Sequence, residues 1–351
     1  MKKSTKIMLI TVSIVFVLFI ALASILGAVF GEKIKAANSI EKLNDGLYYM
    51  EYEGDYGFEQ FLSKGGAENQ ADLVNYLVFF MSGGFVELEK EEVSFDFGCS
   101  TLTTKSSDSS YVMGRNFDYT GANPRAMIIH TKPENGYESY STTWLDFLGF
   151  GEDFVPESMK DRYMSLASVY VPLDGINEKG LCVADLINGD DELTSQNTDK
   201  VDVTTTTAIR LLLDKAANVD EAITLLKQYD MHSDIGRSHH LSICDSSGRS
   251  VVVEYIDNEM IITDTPVVTN HYLSEGEKFG IGNEESHKCY AKLMEKSEDT
   301  LSREDMAKCM SDVSYENETQ WSVVYDIENL ELDFYFRRQF DNPLTFTVEN
   351  K

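Results

Sequence analysis

Gly98-Cys99 stands at the head of a strand-like run, Thr101–Thr104, and a second run, Tyr111–Arg115, returns beside it. A cysteine in that place can become a nucleophile with its own base. If the Gly98–Cys99 bond is cut, Cys99 holds both a thiol and a free α-amine. An α-amine titrates near 8, so about a tenth to a fifth of it is neutral at pH 7 and able to take a proton. Glycine at 98 offers little steric resistance to attack on its carbonyl by the Cys99 thiol, so the cut can be autocatalytic. Arg115 lies sixteen residues on, where its fixed positive charge favours thiolate, and Asp118 is placed to hold the new ammonium.

Other chemistries lack their residues. The chain has no G-x-S-x-G elbow, H-E-x-x-H helix, phosphate-binding glycine loop or EF-hand loop. Its six histidines are scattered, and the adjacent pair His239-His240 would face opposite sides of a strand, so no metal or cofactor is expected. His240 reads as a structural hydrogen-bonding residue, and His271 as a candidate for a pocket wall. Five cysteines (Cys99, Cys182, Cys244, Cys289, Cys309) contain no CxxC pair, and an odd number leaves at least one thiol unpaired. Cys182, Cys244 and Cys309 read as small buried hydrophobes.

The elements around Cys99 read as α+β. Strands are expected at Val93–Phe97, Thr101–Thr104, Tyr111–Arg115, Ala126–Thr131, Leu166–Val171, Gly180–Ile187, His240–Cys244, Ser250–Tyr255, Glu259–Thr263, Pro266–Asn270, Thr319–Tyr325 and Leu332–Arg337. Helical spacing marks Phe58–Leu62, Leu73–Met81, Thr205–Ala217, Val219–Tyr229, Ser286–Lys296 and Ser302–Met310. Glu134–Arg162 reads as a long aromatic stretch, and Tyr137, Tyr140, Trp144 and Phe147 within it are expected to wall an apolar acyl or sterol group.

At the N-terminus, Lys2, Lys3 and Lys6 precede an uncharged run from Ile7 to Phe30. About 20 apolar residues suffice to cross the hydrocarbon core, so residues 1–31 are expected to be a signal anchor, or a cleaved signal peptide, with the rest of the chain exported. Thirty Lys and Arg against 59 Asp and Glu give a formal charge of −29. Such a balance argues against nucleic acid as a partner and against adhesion to anionic headgroups.

Taken together, Gly98-Cys99-Ser100-Thr101 and Gly114-Arg115-Asn116-Phe117-Asp118-Tyr119 resemble the choloylglycine hydrolase family of linear amide C–N hydrolases. These N-terminal nucleophile (Ntn) hydrolases include bile salt hydrolases and penicillin V acylases. The resemblance continues through Gly175–Leu181, Asn188, Asp245–Gly248, Val253–Tyr255, Val267–Asn270 and Trp321–Asp326. It implies a four-layer αββα sandwich over residues 99–351 and a propeptide over 32–98. It further implies Cys99 as nucleophile with Arg115 and Asp118 beside it, and an oxyanion site from the Asn188 backbone N–H and the Asn270 side chain. Where the family carries an arginine in a late helix, this chain has Lys288-Cys289, which leaves open whether Lys288 supplies the charge. The implied reaction is hydrolysis of a small-molecule amide through a thioester, without metal or cofactor. Acyl transfer from the same intermediate is the near alternative, and a membrane-tethered binding protein on the same scaffold is the distant one.

Overall fold

In this computed structural model the described residues are 27, 29–83, 97–107, 110–120, 125–148, 154–234 and 236–349. All of the expected strand at 93–97 but its last residue, Phe97, and nearly all of the run 7–30 lie outside them. Among the described residues no helix is long and apolar enough to cross a membrane.

A helix over 29–39 (α1) is followed by β1 (Glu41–Asn44), β2 (Leu47–Glu53), α2 (Phe58–Ser63) and α3 (Gln70–Met81). Then come β3 (Phe97–Lys105), β4 (Tyr111–Tyr119), β5 (Ala126–Lys132), β6 (Ser139–Trp144), α4 (Met159–Met164), β7 (Asp174–Asn177) and β8 (Cys182–Ile187). The chain continues with β9 (Val201–Thr204), α5 (Thr205–Lys215), α6 (Val219–Leu226), β10 (Tyr229–His232), β11 (His239–Cys244), β12 (Ser250–Ile256), β13 (Glu259–Asp264) and β14 (Val267–Thr269). It ends with α7 (Glu284–Met294), α8 (Arg303–Asp312), β15 (Thr319–Asp326), β16 (Glu331–Phe336) and β17 (Leu344–Thr347).

These strands make a nine-stranded sheet, β1-β2-β5-β6-β7-β8-β11-β12-β13, and a six-stranded sheet, β14-β3-β4-β15-β16-β17, with β9 and β10 as a parallel pair apart. Side chains alternate across each sheet, so a strand buried on both faces is apolar throughout. In β12, Val251 and Val253 join the cluster under α5 and α6, while Val252 points between the sheets. In β15, Trp321 and Val323 point between the sheets and Val324 joins the cluster under α7 and α8. Helices, sheet, sheet and helices therefore succeed one another, with an apolar cluster at each of the three contacts. The outer contact is close at Gly114 in β4, where a Cβ would sit 2.6 Å from the Met306 sulfur of α8.

Two expectations change here. Leu166–Val171 is a short 3-10 helix, Ser165–Tyr170, not a strand. The stretch expected as an aromatic loop contains β6, whose residues are all buried. Its hydroxyls are satisfied internally: Ser139 and Thr131 share a hydrogen bond of 2.8 Å, and Thr143 donates to the Val171 carbonyl at 2.6 Å.

The described part of the expected propeptide, 32–83, is built into this framework. β2 lies parallel to β5 in unbroken register from Leu47 opposite Ala126 to Glu53 opposite Lys132. Tyr56, Phe58, Phe61 and Tyr76 surround the Tyr170 ring at centroid distances of 5.5–6.5 Å. Tyr56 also donates to the Asp214 carboxylate at 2.6 Å.

Candidate active site

β3 and β4 form the hairpin that the sequence suggests, with Thr101 opposite Arg115, Cys99 opposite Phe117 and Gly98 opposite Asp118. On the other edge of β3, β14 ends with Thr269 opposite Ser100, which brings the next residue, Asn270, level with Cys99. The Cys99 backbone N–H donates to Asn270 Oδ1 at 2.7 Å. Asn270 Nδ2 donates to the Ile187 carbonyl at 2.7 Å, tying the end of β14 to the end of β8 in the opposite sheet. One N–H of the Asn270 amide is left for a further acceptor.

Arg115 and Asp118 are three apart on a strand and leave it on opposite faces. Arg115 points between the sheets, fully buried, and its Nη2 lies 3.5 Å from Cys99 Sγ. Its ion-pair partner is Asp174, which also accepts from Trp321 Nε1 at 3.0 Å and Tyr325 OH at 2.9 Å. Arg115 Nη2 donates in addition to the Asp185 carbonyl at 3.0 Å, and the Asp185 carboxylate accepts from His239 Nδ1 at 2.9 Å. Burial pulls the His239 imidazole down, but Asp185 and Asp234 override it and hold the pKa up at about 9.

The expectation that Arg115 favours thiolate holds only in sign. Burial pushes the Cys99 thiol well above its ordinary range; Arg115 opposes this, while Asp118, Asp185 and Asp174 add to it. Arg115 shares its charge with Asp174, so burial wins. Asp118 sits on the other face, beside Gly98, and accepts from the Thr319 hydroxyl. Burial raises its carboxyl to about 7, against the pull of Thr319 and Arg115.

Cys99 opens on a cavity of about 680 Å³. Gly98, Asp118, Tyr119, Asn188, Asn270 and Cys289 are among its lining residues. Asn188 is brought to it by β8, but its backbone N–H donates to the Ser238 carbonyl at 2.8 Å and is not free for an oxyanion. The Asn188 side chain donates to the His239 carbonyl at 3.2 Å, and its Oδ1 has no hydrogen-bond partner.

The expected aromatic wall is not at this cavity. Trp144 and Phe147 are buried between the sheets, behind Tyr119, at centroid distances of 5.3 and 6.0 Å. Tyr140 stacks on His130 at 4.1 Å, and Tyr137 lies under Lys179. Lys288 is also elsewhere: its ammonium is half-exposed and paired with Glu284 and Glu285 at 2.9 and 2.8 Å. One position further along α7, Cys289 faces the cavity, with its sulfur 3.1 Å from Tyr315 OH. His271 is held by Thr269 and Ser286, each at 3.0 Å, behind the wall, and His240 binds Glu254 at 3.0 Å as a structural residue. Asp174, Asp185, His239, Tyr315 and Glu318 went unrecognised in the sequence. For Asp174 the signal was its place immediately before the Gly175–Leu181 motif.

Residues 103–335 match the model of the acyl-coenzyme A:6-aminopenicillanic acid acyl-transferase family, which is more than half of the chain. Penicillin V acylase from Pectobacterium atrosepticum is 32% identical over 142 residues, which cover 37% of this chain and 36% of that relative. The match thus spans about a third of the relative's length. Among solved structures, a variant of conjugated bile acid hydrolase from Clostridium perfringens is similar in fold, with a TM-score of 0.52 at 14% identity. That likeness covers 72% of this chain and 93% of the other. The chain belongs to the acyl-coenzyme A:6-aminopenicillanic acid acyl-transferase family, within the Ntn hydrolases.

Proposed function

We propose that this chain hydrolyses a linear, non-peptide carbon–nitrogen amide, with Cys99 as nucleophile after a cut at Gly98–Cys99. The observation that carries this reading is the setting of Cys99. Its backbone nitrogen is held by Asn270, its sulfur lies 3.5 Å from Arg115, and it opens on a cavity of about 680 Å³. The helix–sheet–sheet–helix order supports the αββα sandwich expected for such an enzyme.

In the activating cut, Cys99 Sγ attacks the Gly98 carbonyl carbon. The C–N bond breaks as the C–S bond forms, and the released nitrogen takes a proton to become the α-amine. Water then hydrolyses the thioester, leaving a Gly98 carboxylate and the Cys99 thiol. In turnover the α-amine takes the thiol proton, the thiolate attacks the substrate carbonyl, and the same amine returns the proton to the departing nitrogen. Water releases the acid from the thioester. The second N–H of Asn270 would donate to the oxyanion, and such a donor is typically worth about 10²–10³ in turnover. A thiol raised by burial needs a base of this kind. The cut would leave two chains held together by the β2–β5 pairing and the Tyr170 cluster. The basic flank and uncharged run at 2–30 support export of the domain.

The acyl transfer in the family's name favours a second reading, transfer of the acyl group to an amine instead of water. The test is product analysis of the full chain on a panel of acyl amides, with and without added amine. Release of free acid that disappears in Cys99→Ala supports hydrolysis, and a new amide only in the presence of amine supports transfer. Activity retained in Cys99→Ala would overturn both. An uncut chain whose Cys99 resists alkylation would favour a binding protein.

A further inference from the structure

Resting on the hydrolytic reading above, we propose that His239 is a positioning residue for the reaction: as an imidazolium it cancels the charge of Asp185, the residue whose backbone holds Arg115 beside Cys99. The end of β8 acts as a rail for the site. The Asp185 carbonyl accepts from Arg115 Nη2 at 3.0 Å, and the Ile187 carbonyl accepts from Asn270 Nδ2 at 2.7 Å. Asn188 donates through its backbone to the Ser238 carbonyl at 2.8 Å and through its side chain to the His239 carbonyl at 3.2 Å. In the β8–β11 ladder Asp185 lies opposite Leu241 and His239 opposite Ile187. The side chains of Asp185 and His239 therefore leave on one face, that of Leu241 and the cluster under α5.

The hydrogen bonds fix the charge of the ring. His239 Nδ1 lies 2.9 and 3.1 Å from the two Asp185 oxygens, and Nε2 lies 2.9 Å from the Asp234 carbonyl. A carboxylate and a carbonyl can only accept, so both ring nitrogens donate, and an imidazole with two N–H groups is a cation. Asp185 and Asp234 hold that cation against burial. Among the described residues the charged groups around the ring are Asp185 of β8, Asp234 before β11 and, through the Asp185 backbone, Arg115 of β4. Asp234 is engaged by α5, accepting from the Thr206 N–H at 3.1 Å and its hydroxyl at 2.6 Å. Arg115 is paired with Asp174. With His239 charged, two cations match Asp174 and Asp185; with it neutral, one carboxylate is left uncompensated behind Arg115. Asp185 acts against the Cys99 thiolate, and these side chains are all buried, so solvent screens that effect little.

The test uses the full chain after processing and reads two quantities. Ring-nitrogen NMR shifts of His239 in the unmodified chain are expected to show both nitrogens protonated near neutral pH. A neutral ring would overturn the proposal, whether or not any variant folds. The pH profile of Cys99 alkylation by iodoacetamide, followed by peptide mass, is then compared in His239→Gln and in the double variant His239→Gln, Asp185→Asn. The single variant is expected to move the midpoint up by about one unit and to lower kcat/KM on an acyl anilide about tenfold. The second substitution removes the stranded carboxylate and is expected to bring the midpoint back. A histidine that only held the fold would give the opposite sign, because a loosened site admits water and lets the thiol fall toward its ordinary value. A midpoint that stays or falls in His239→Gln, or does not return in the double variant, would overturn the proposal and leave the hydrolase standing. The expected alkylation pattern in a chain that cleaves no amide would support the charge arrangement and overturn the hydrolytic reading instead.

Discussion

Residues 29–83 and the strand pair β3–β4 are held by different physics. The first region contributes aromatic rings and backbone pairing: Tyr56, Phe58, Phe61 and Tyr76 around Tyr170, and seven paired positions between β2 and β5. The second is organised around buried charge, with Arg115 on Asp174 and His239 on Asp185. Apolar contacts are many and individually small, so their loss is graded. A buried ion pair is neither a strong source of stability nor dispensable, because removal of one partner strands the other. Were Gly98–Cys99 cut as proposed, residues 29–83 would still be held by these apolar and backbone contacts, whereas the site depends on each charge keeping its partner.

Asp174→Asn probes the second half of that contrast and carries the largest expected effect. Arg115 would lose the anion that neutralises it, at a cost of about 3–5 kcal/mol measured by denaturant unfolding. A loss under about 1 kcal/mol would mean that Asp185 and solvent can replace Asp174. Tyr170→Phe probes the first half. It removes the 2.6 Å hydrogen bond to the Tyr56 carbonyl while keeping the ring, and about 1–3 kcal/mol is expected, with the cut chains still associated at native pH. Dissociation after so small a change would show that the leader is held by a few bonds and not by the sheet.

A third test is in pH dependence, and its sign is fixed by Asp118. Its carboxyl is raised to about 7 in the uncut chain, chiefly by burial, so the folded state holds a proton that the unfolded chain releases near 4. The corresponding stability is present below pH 4 and is lost as pH rises through about 7. Uncut Cys99→Ala is expected to show this slope and the double variant Cys99→Ala, Asp118→Asn to lack it, in unfolding measured across that window. An identical slope in both would place the titration elsewhere.

Much of this arrangement was legible in the residues because it rests on short-range pattern. The hairpin around Cys99 and Arg115 follows from two strand-like runs and a turn, and α6 begins where Asn218 caps it by accepting from the Glu221 N–H. What escaped is what depends on the third dimension. Ser139–Trp144 shows no alternation because both faces are buried and its hydroxyls find partners inside. Asp174 is far from Arg115 in sequence, and its place before the Gly175–Leu181 motif does not name Arg115 as its partner. Composition alone suggests a substrate role for the aromatic residues of 137–147, but the strand register turns Trp144 into the space between the sheets. Lys288 and Cys289 differ by one helical position, about 100° of rotation, and that alone decides which one faces the cavity.

The central claim is that Cys99 becomes an N-terminal nucleophile while the residues before it stay part of the fold. Mass analysis of one purified sample, under native and then denaturing conditions, tests both halves together. The account predicts a single native species that separates on denaturation into two chains, one beginning at Cys99, and a single uncut chain in Cys99→Ala. A denatured sample that remains one chain while cleaving amides, or a native species that has lost the leader and keeps full activity, would contradict it.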